Sequence, residues 1–265
     1  CHGIAAPRGI YLHLHAVDLA RFPDGQWWVL ADRTQAPSGA GYTLENRIVL
    51  SRSLPEPFRD CQVQRLASFF WAQRDTLTAL ASAQRDTPRV VLLTPGPLNE
   101  TYFEHAYLAR YLGFTLVEGG DLTVRDRQVF IKTLDGLQPV DVIFRRLDDS
   151  YCDPLELRTD STLGVAGLVE AARAGNVTIA NALGSGVIET AALSRFLPGL
   201  CRSVLGEELL LPSVPTRWCG EADDLQYVLE HLDRMVIKRT FPPVSGQPIF
   251  GRLLSTLQRS ALVSE

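Results

Sequence analysis

Two aspartates near one end of a 265-residue chain and a lysine near the other have the types and surroundings for nucleotide chemistry. Asp18 precedes the stretch WWVLADRTQAPSGAGYTLENR (residues 27–47), which reads as a strand running into a polar loop. That loop and its flanks hold Asp32, Arg33, Ser38, Gly39, Asn46 and Arg47. Far downstream, VIKRTFPPVSGQPIFG (residues 236–251) reads as a strand bearing Lys238, then a loop with Ser245, Gly246 and Gly251. Carboxylate oxygens are hard donors that suit Mg²⁺, and small residues let backbone N–H groups approach phosphates. A metal-binding carboxylate pair and a lysine with a phosphate-covering loop are parts that an ATP-using ligase needs. Each has a plainer alternative: Lys238 as an exposed strand lysine, Asp32 as a turn residue.

The elements that must position these groups follow from periodicity. Alternation in residues 9–20 and 26–32, joined by Pro23-Asp24-Gly25, predicts a β-hairpin that brings Asp18 and Asp32 onto paired strands. Apolar residues at Val63, Leu66, Phe69, Phe70, Leu77 and Leu80 predict a helix within residues 62–84. From Arg89 the pattern changes: RVVLLTPG, a helix over about 102–112 and FTLVEG form a strand-helix-strand unit, which implies a parallel sheet. The same style is expected to continue through residues 128–134, 141–146, a helix near 164–174 and the strand 176–181. A helix over 223–232 and a strand over 234–240 follow. The expected organisation is a phosphate- and metal-binding portion at 1–87, an α/β lobe at 88–200 and the start of the lysine-bearing portion at 201–265.

Composition narrows the function classes. With 46% hydrophobic and 21% charged residues the chain can bury a full core. A formal charge of -4 gives no general attraction to nucleic acid or anionic lipid, so no nucleic-acid or membrane partner is expected. No apolar run approaches the roughly 20 residues of a membrane span. Five scattered cysteines, Cys1, Cys61, Cys152, Cys201 and Cys219, include no CxxC pair, which argues for reduced thiols and a cytoplasmic setting. Because the sequence opens on Cys1 and stops at Glu265 soon after the Gly246–Gly251 loop, it reads as a piece of a longer protein.

Open α/β sheets bind ligands just past the carboxyl ends of their strands. Three polar clusters fall there: residues 95–104 with Asn99 and Glu100, residues 145–150 with Arg145, Arg146, Asp148 and Asp149, and NALGSG (181–186). Paired arginines at a strand end suit bidentate carboxylate binding, or form a solvated ion-pair cluster. NALGSG is either an anion-holding turn or only a turn and cap. His13 and His15 make half a metal site with no third ligand in view. His105 and Glu104 read as packing or capping, with substrate contact as the alternative, and Cys152 has no base beside it. Of Trp27 and Trp28, on opposite faces of one strand, one is expected in the core and the other between lobes.

Residues 9–47, TPGPLNETYFEHAYLARYLGFTLVEGGDLTV, RRLDDSYCDPLELRTDSTLGV, NALGSGVIE and VIKRTFPPVSGQPIFGRLLS resemble, in that order, the circularly permuted ATP-grasp proteins. These are similar to the synthetase part of glutathionylspermidine synthase. The resemblance implies an α/β fold: α+β ATP-grasp elements plus a Rossmann-like lobe with a largely parallel sheet. Permutation accounts for the order of the nucleotide parts. The implied activity is an ATP- and Mg²⁺-using carboxylate–amine or carboxylate–thiol ligase, acting through an acyl phosphate on small-molecule or peptide substrates. In that scheme Asp18 and Asp32 hold Mg²⁺, Lys238 contacts an ATP phosphate or adenine, and Ser245, Gly246 and Gly251 line a lid. Arg33 or Arg47 neutralises the transferring phosphoryl group or binds the acyl substrate. Ser38, Gly39, Asn46, Asn99, Glu100, Arg145, Arg146, Asp148 and Asp149 bind substrate.

The sequence departs from the pattern at Ala31-Asp32-Arg33, where Glu-x-Asn is usual: a methyl group and a cation replace two oxygen ligands. A catalytically degenerate relative that binds a nucleotide or peptide as a scaffold is therefore the alternative. A dinucleotide-binding oxidoreductase is disfavoured because RVVLLTPGPLNE lacks GxGxxG.

Overall fold

A computed structural model describes residues 2–81, 87–241 and 246–264. The chain begins with β1 (Ala16–Arg21), β2 (Trp27–Arg33), α1 (Ala40–Ser53), α2 (Pro55–Asp60) and α3 (Ala67–Thr78). Then come β3 (Val90–Leu93), α4 (Tyr102–Leu112), β4 (Thr115–Val117), β5 (Leu122–Arg125), β6 (Gln128–Thr133) and β7 (Gly136–Pro139). β8 (Val142–Arg145), α5 (Leu168–Arg173), β9 (Thr178–Ala180), α6 (Leu193–Leu200) and α7 (Ala222–Glu230) follow, and β10 (Val236–Ile237), β11 (Ile249–Phe250) and α8 (Thr256–Ser264) end the described chain. The chain divides into two compact units: residues 1–16 with 33–186, and residues 17–32 with 187–265.

The first unit is built on a four-stranded parallel sheet in the order β4-β3-β8-β9. Parallel strands covered on both faces need apolar residues at every position. VVLL of β3 and the first three residues of β8 meet that need, and all eight residues of β3 and β8 are buried. Successive side chains point to opposite faces. Val91, Leu93, Ile143 and Ile179 therefore enter a core shared with β5, β6 and α5, while Leu92, Phe144 and Ala180 enter a second core with α1, α3 and α4. Burying each large aliphatic side chain contributes roughly 1.5–3 kcal/mol.

Most predicted elements form, with shifted ends. The helix expected within 62–84 is regular over Ala67–Thr78, with Phe70, Gln73 and Leu77 on its buried face. The strand expected over 234–240 is confined to Val236–Ile237. One expectation fails: residues 128–133 do not continue the parallel sheet. β6 pairs antiparallel with β5 and β7 in a separate three-stranded sheet, because short turns on both sides return the chain directly upon itself. A parallel pairing would need a crossover of a dozen or more residues.

The second unit is made of smaller pieces. β1 and β2 form a two-stranded sheet whose turn is closed by Phe22 N–H donating to Gln26 O at 2.9 Å, with Gly25 at φ 86°. Val29 exchanges backbone hydrogen bonds with Pro212 and Val214. α6 passes into a π-helical turn over Cys201–Leu205 and stops at Gly206. Asp224 organises the region around α7: it accepts hydrogen bonds from Arg195, Arg217 and Trp218 N–H at 2.8–3.0 Å. Trp28 is half-buried and Trp27 is 49% exposed, so neither is a fully buried core residue. Among the described residues, no helix is long and apolar enough to cross a membrane.

Candidate functional site

In the first unit, the segment Thr34–Gly39 lies across the loops that leave β8 and β9, the edge where open α/β sheets receive ligands. Its residues are tied down one after another. Thr34, fully buried, donates Oγ1–H to Ser185 O at 2.7 Å and accepts at its carbonyl from Asn181 Nδ2 and Ser185 Oγ. Gln35 Oε1 accepts from Asp149 N–H. The carbonyls of Ala36 and Pro37 accept from Arg146 Nη2 at 3.2 and 2.5 Å. Gly39, at φ 108°, turns the strap into α1, a conformation L side chains rarely adopt. No side chain of α1's own caps this helix start; the buried Glu104 of α4 does so, accepting from Gly39 N–H and Gly41 N–H at 2.9 Å. A carboxylate against a helix N-terminus is electrostatically favourable.

The paired arginines have different employment. Every nitrogen of Arg145 is engaged inside the fold: Nε with Asn181 O, Nη1 with Leu147 O, Nη2 with Ala182 O and Ser185 Oγ. Asp149 Oδ1 lies 2.5 Å from Arg145 Nη2, an ion pair not aligned as a hydrogen bond. Asp149 Oδ2 accepts from Gly184 and Gly186 N–H, so the anion held by the NALGSG turn is the protein's own carboxylate. That turn opens only a short 3₁₀ segment over Ser185–Glu189.

Arg146 is 3% exposed, and its Nε and Nη1 have no hydrogen-bond partner. Burial pulls this guanidinium down to about 10 against the attraction of Glu104, so it stays cationic at neutral pH. Leaving charged donors buried and unpaired costs on the order of 1–3 kcal/mol each or more.

His105 sits beside this cation with both ring nitrogens engaged, Nδ1 with Thr94 Oγ1 at 2.9 Å and Nε2 with Thr101 Oγ1 at 3.0 Å. Burial, reinforced by the Arg146 charge, pulls its imidazole down to about 3. Cys152 is fully buried and its thiol is pushed up to about 12, chiefly by burial, so it is no nucleophile at neutral pH.

The other expected site residues fall as follows. In the first unit Arg33, Ser38, Asn46, Glu100 and Asp148 are exposed, and Arg47 donates to Gln64 O at 2.7 Å. Asn99 Oδ1 accepts from Thr101 N–H and Oγ1–H, and so shapes the loop before α4. In the second unit Asp18 and Asp32 lie on the paired strands β1 and β2, and Lys238 is exposed immediately after β10. Gly246 is exposed, and Ser245 lies outside the described residues. Gly251 is buried and donates its N–H to Met235 O; a Cβ there would stand 1.7 Å from Leu232 O, so close backbone packing requires the glycine.

Among the described residues, no group of three or more His, Cys, Asp or Glu could hold a metal ion. Mg²⁺ is commonly bound by one or two carboxylates together with substrate phosphates, and the oxygen donors of Asp18 and Asp32 fit that mode. The signals missed in the sequence are the strap itself, Thr34 to Pro37, and the role of Asn181, whose amide also holds His13 and Leu14. A run of polar and small residues between a strand and a helix was the available clue.

The sequence matches the family described as circularly permuted ATP-grasp type 2 over residues 1–265. It is similar to the uncharacterized protein Rv2567 of Mycobacterium tuberculosis (strain ATCC 25618 / H37Rv), 44% identical over 261 residues, covering 98% of this chain and 29% of that protein. The uncharacterized protein sll0335 of Synechocystis sp. is 44% identical over 238 residues, 90% of this chain and 50% of that protein. The uncharacterized protein Rv2411c of M. tuberculosis is 41% identical over 249 residues, 94% of this chain and 44% of its own length. The chain thus spans half or less of the length of these relatives. On a match that runs from its first residue to its last, the chain belongs to the circularly permuted ATP-grasp family, type 2.

Proposed function

We propose that this chain is part of an ATP-dependent carboxylate–amine ligase working through an acyl phosphate, on a small-molecule or peptide substrate. The observation that carries this reading is the full-length family match. In the reaction a substrate carboxylate oxygen attacks the γ-phosphorus and ADP leaves; the amine nitrogen then attacks the acyl carbon, phosphate departs and the amine proton passes to solvent. Bringing two anions together demands positioned cations and donors. Lys238, exposed just after β10, is suited to an ATP phosphate, and the exposed Gly246 leaves room for one to approach. Asp18 and Asp32 would hold Mg²⁺, which supplies charge neutralisation of the phosphates. Arg33 neutralises the transferring phosphoryl group. Arg47 is tied to Gln64 and acts by shaping α1. On the substrate side, Ser38, Asn46, Glu100 and Asp148 present exposed polar groups, while Arg145, Asp149 and Asn99 hold the loops.

A second reading is a degenerate, nucleotide- or peptide-binding scaffold. It is favoured by Ala31 and Arg33 flanking Asp32, where Glu-x-Asn is usual. Calorimetric titration of Mg²⁺-ATP into the full-length protein separates the two. Binding in the micromolar range, weakened tenfold or more in Lys238→Ala, with ADP release when carboxylate and amine are supplied together, supports the ligase. A folded protein that binds ATP without releasing ADP when both substrates are supplied, or that binds no ATP at all, supports the scaffold.

A further inference from the structure

The two anion cradles in the first unit are filled by the protein's own carboxylates, Glu104 at the start of α1 and Asp149 at NALGSG. Arg146 is not matched in this way. Its Nη2 is held by the strap carbonyls of Ala36 and Pro37, and Nε and Nη1 are buried without partners. The guanidinium presents two bidentate edges, Nε with Nη2 and Nη1 with Nη2, and each matches the spacing of a carboxylate or phosphoryl group. Nη2 belongs to both edges, so the strap blocks both at once.

We propose that Arg146 is a recessed oxyanion receptor latched by the 34–39 strap, and that a carboxylate or phosphoryl oxygen exchanges with the Ala36 and Pro37 carbonyls for its guanidinium. The exchange replaces hydrogen bonds to neutral carbonyls with a bidentate pair to an anion and gives one orphaned nitrogen a partner. Gly39 lets the strap turn at its α1 end, where Glu104 anchors it, and Thr34 anchors the other end. Between these anchors Gln35 Oε1 accepts from Asp149 N–H at 2.9 Å. The latch acts on access and stands independently of ATP use.

The test is amide hydrogen exchange of the full-length protein with inorganic phosphate, acetate or chloride at matched ionic strength. Exchange in peptides covering residues 34–41 is expected to rise severalfold and saturably with phosphate or acetate and to stay unchanged with chloride. Arg146→Lys, which keeps the charge but has no bidentate edge, is expected to abolish the response. Nitrogen-15 spectra of the wild-type arginine side chains give a second measurement that needs no variant: the Arg146 Nε–H signal shifts with the same anion. The anion acting at the lower concentration identifies the group as phosphoryl or carboxylate. Equal responses to all three salts, or none, would overturn the proposal and leave buried water as the partner of the orphaned nitrogens. So would a response that persists in Arg146→Lys. Because ATP binding is read through Lys238, failure here and failure of the ligase reading are separate results.

Discussion

The two units solve the burial problem differently. The first holds both apolar clusters, on opposite faces of one parallel sheet, and its buried polar groups form a network centred on Arg145 and Asn181. In the second, the buried apolar side chains among the described residues are Val228 and Leu232. Leu19, Trp27, Leu30, Val204, Leu210, Phe241 and Leu257 remain at least 41% exposed there. Order in the second unit leans on hairpins and on ion pairs around Asp224. Local stability follows buried apolar contact, so the sheet unit is expected to be the more protected and the lysine-bearing unit the more open. Under the proposed function, the substrate loops would rest on the more protected unit and the nucleotide groups on the more open one.

Removing the hub of the network is the severest way to break this contrast. Arg145→Met leaves the half-buried Asp149 without its ion-pair partner and several carbonyls without their donor, and is expected to cost about 3–5 kcal/mol. Urea unfolding followed by amide exchange in β8 and β9 measures it; a loss below about 1 kcal/mol would show that the network is ornamental. The next effect is acid response. Hydrogen bonds from Arg217 and then Arg195 hold the Asp224 carboxyl well below the usual carboxylate range. Its stabilisation is present above about pH 4, the unfolded value, and is lost as pH falls from there. Asp224→Asn should remove that dependence from α7 amide protection, and an unchanged acid profile would assign it to other groups. A further acid response lies in the sheet unit. With its folded value near 3 against about 6.5 unfolded, His105 makes this unit lose stability as pH falls below about 6.5. Its imidazole carbon shifts should stay flat from pH 8 to 5, and a titration midpoint above 5 would refute the neutral, Thr-held ring.

What the sequence disclosed depended on range. β3, α4 and β4 were legible because an all-apolar strand, a Pro-Gly break and a helical stripe are local patterns. The assignment of β6 failed because a strand signal says nothing of its partners; pairing was decided by the turns at 126–127 and 134–135. Glu104 was readable as a cap, yet the helix it caps begins 64 residues earlier. Arg145 looked like a ligand-binding residue because its acceptors, the carbonyls of Asn181 and Ala182, carry no sequence mark. The nucleotide-site candidates were chosen by residue type and resemblance, and their chemistry awaits the titration with Lys238→Ala.

The strap has a consequence for the order of folding. Its partners lie far along the chain: Thr34 to Ser185 spans 151 residues, Gln35 to Asp149 114, and Ala36 to Arg146 110. Contacts of such separation form late, because a long loop must close before any of them stabilises the chain. Residues 34–39 leave the ribosome before their docking surface exists and find it only once β8 and β9 have paired. In refolding, formation of the strap's hydrogen bonds should therefore trail the sheet that receives them.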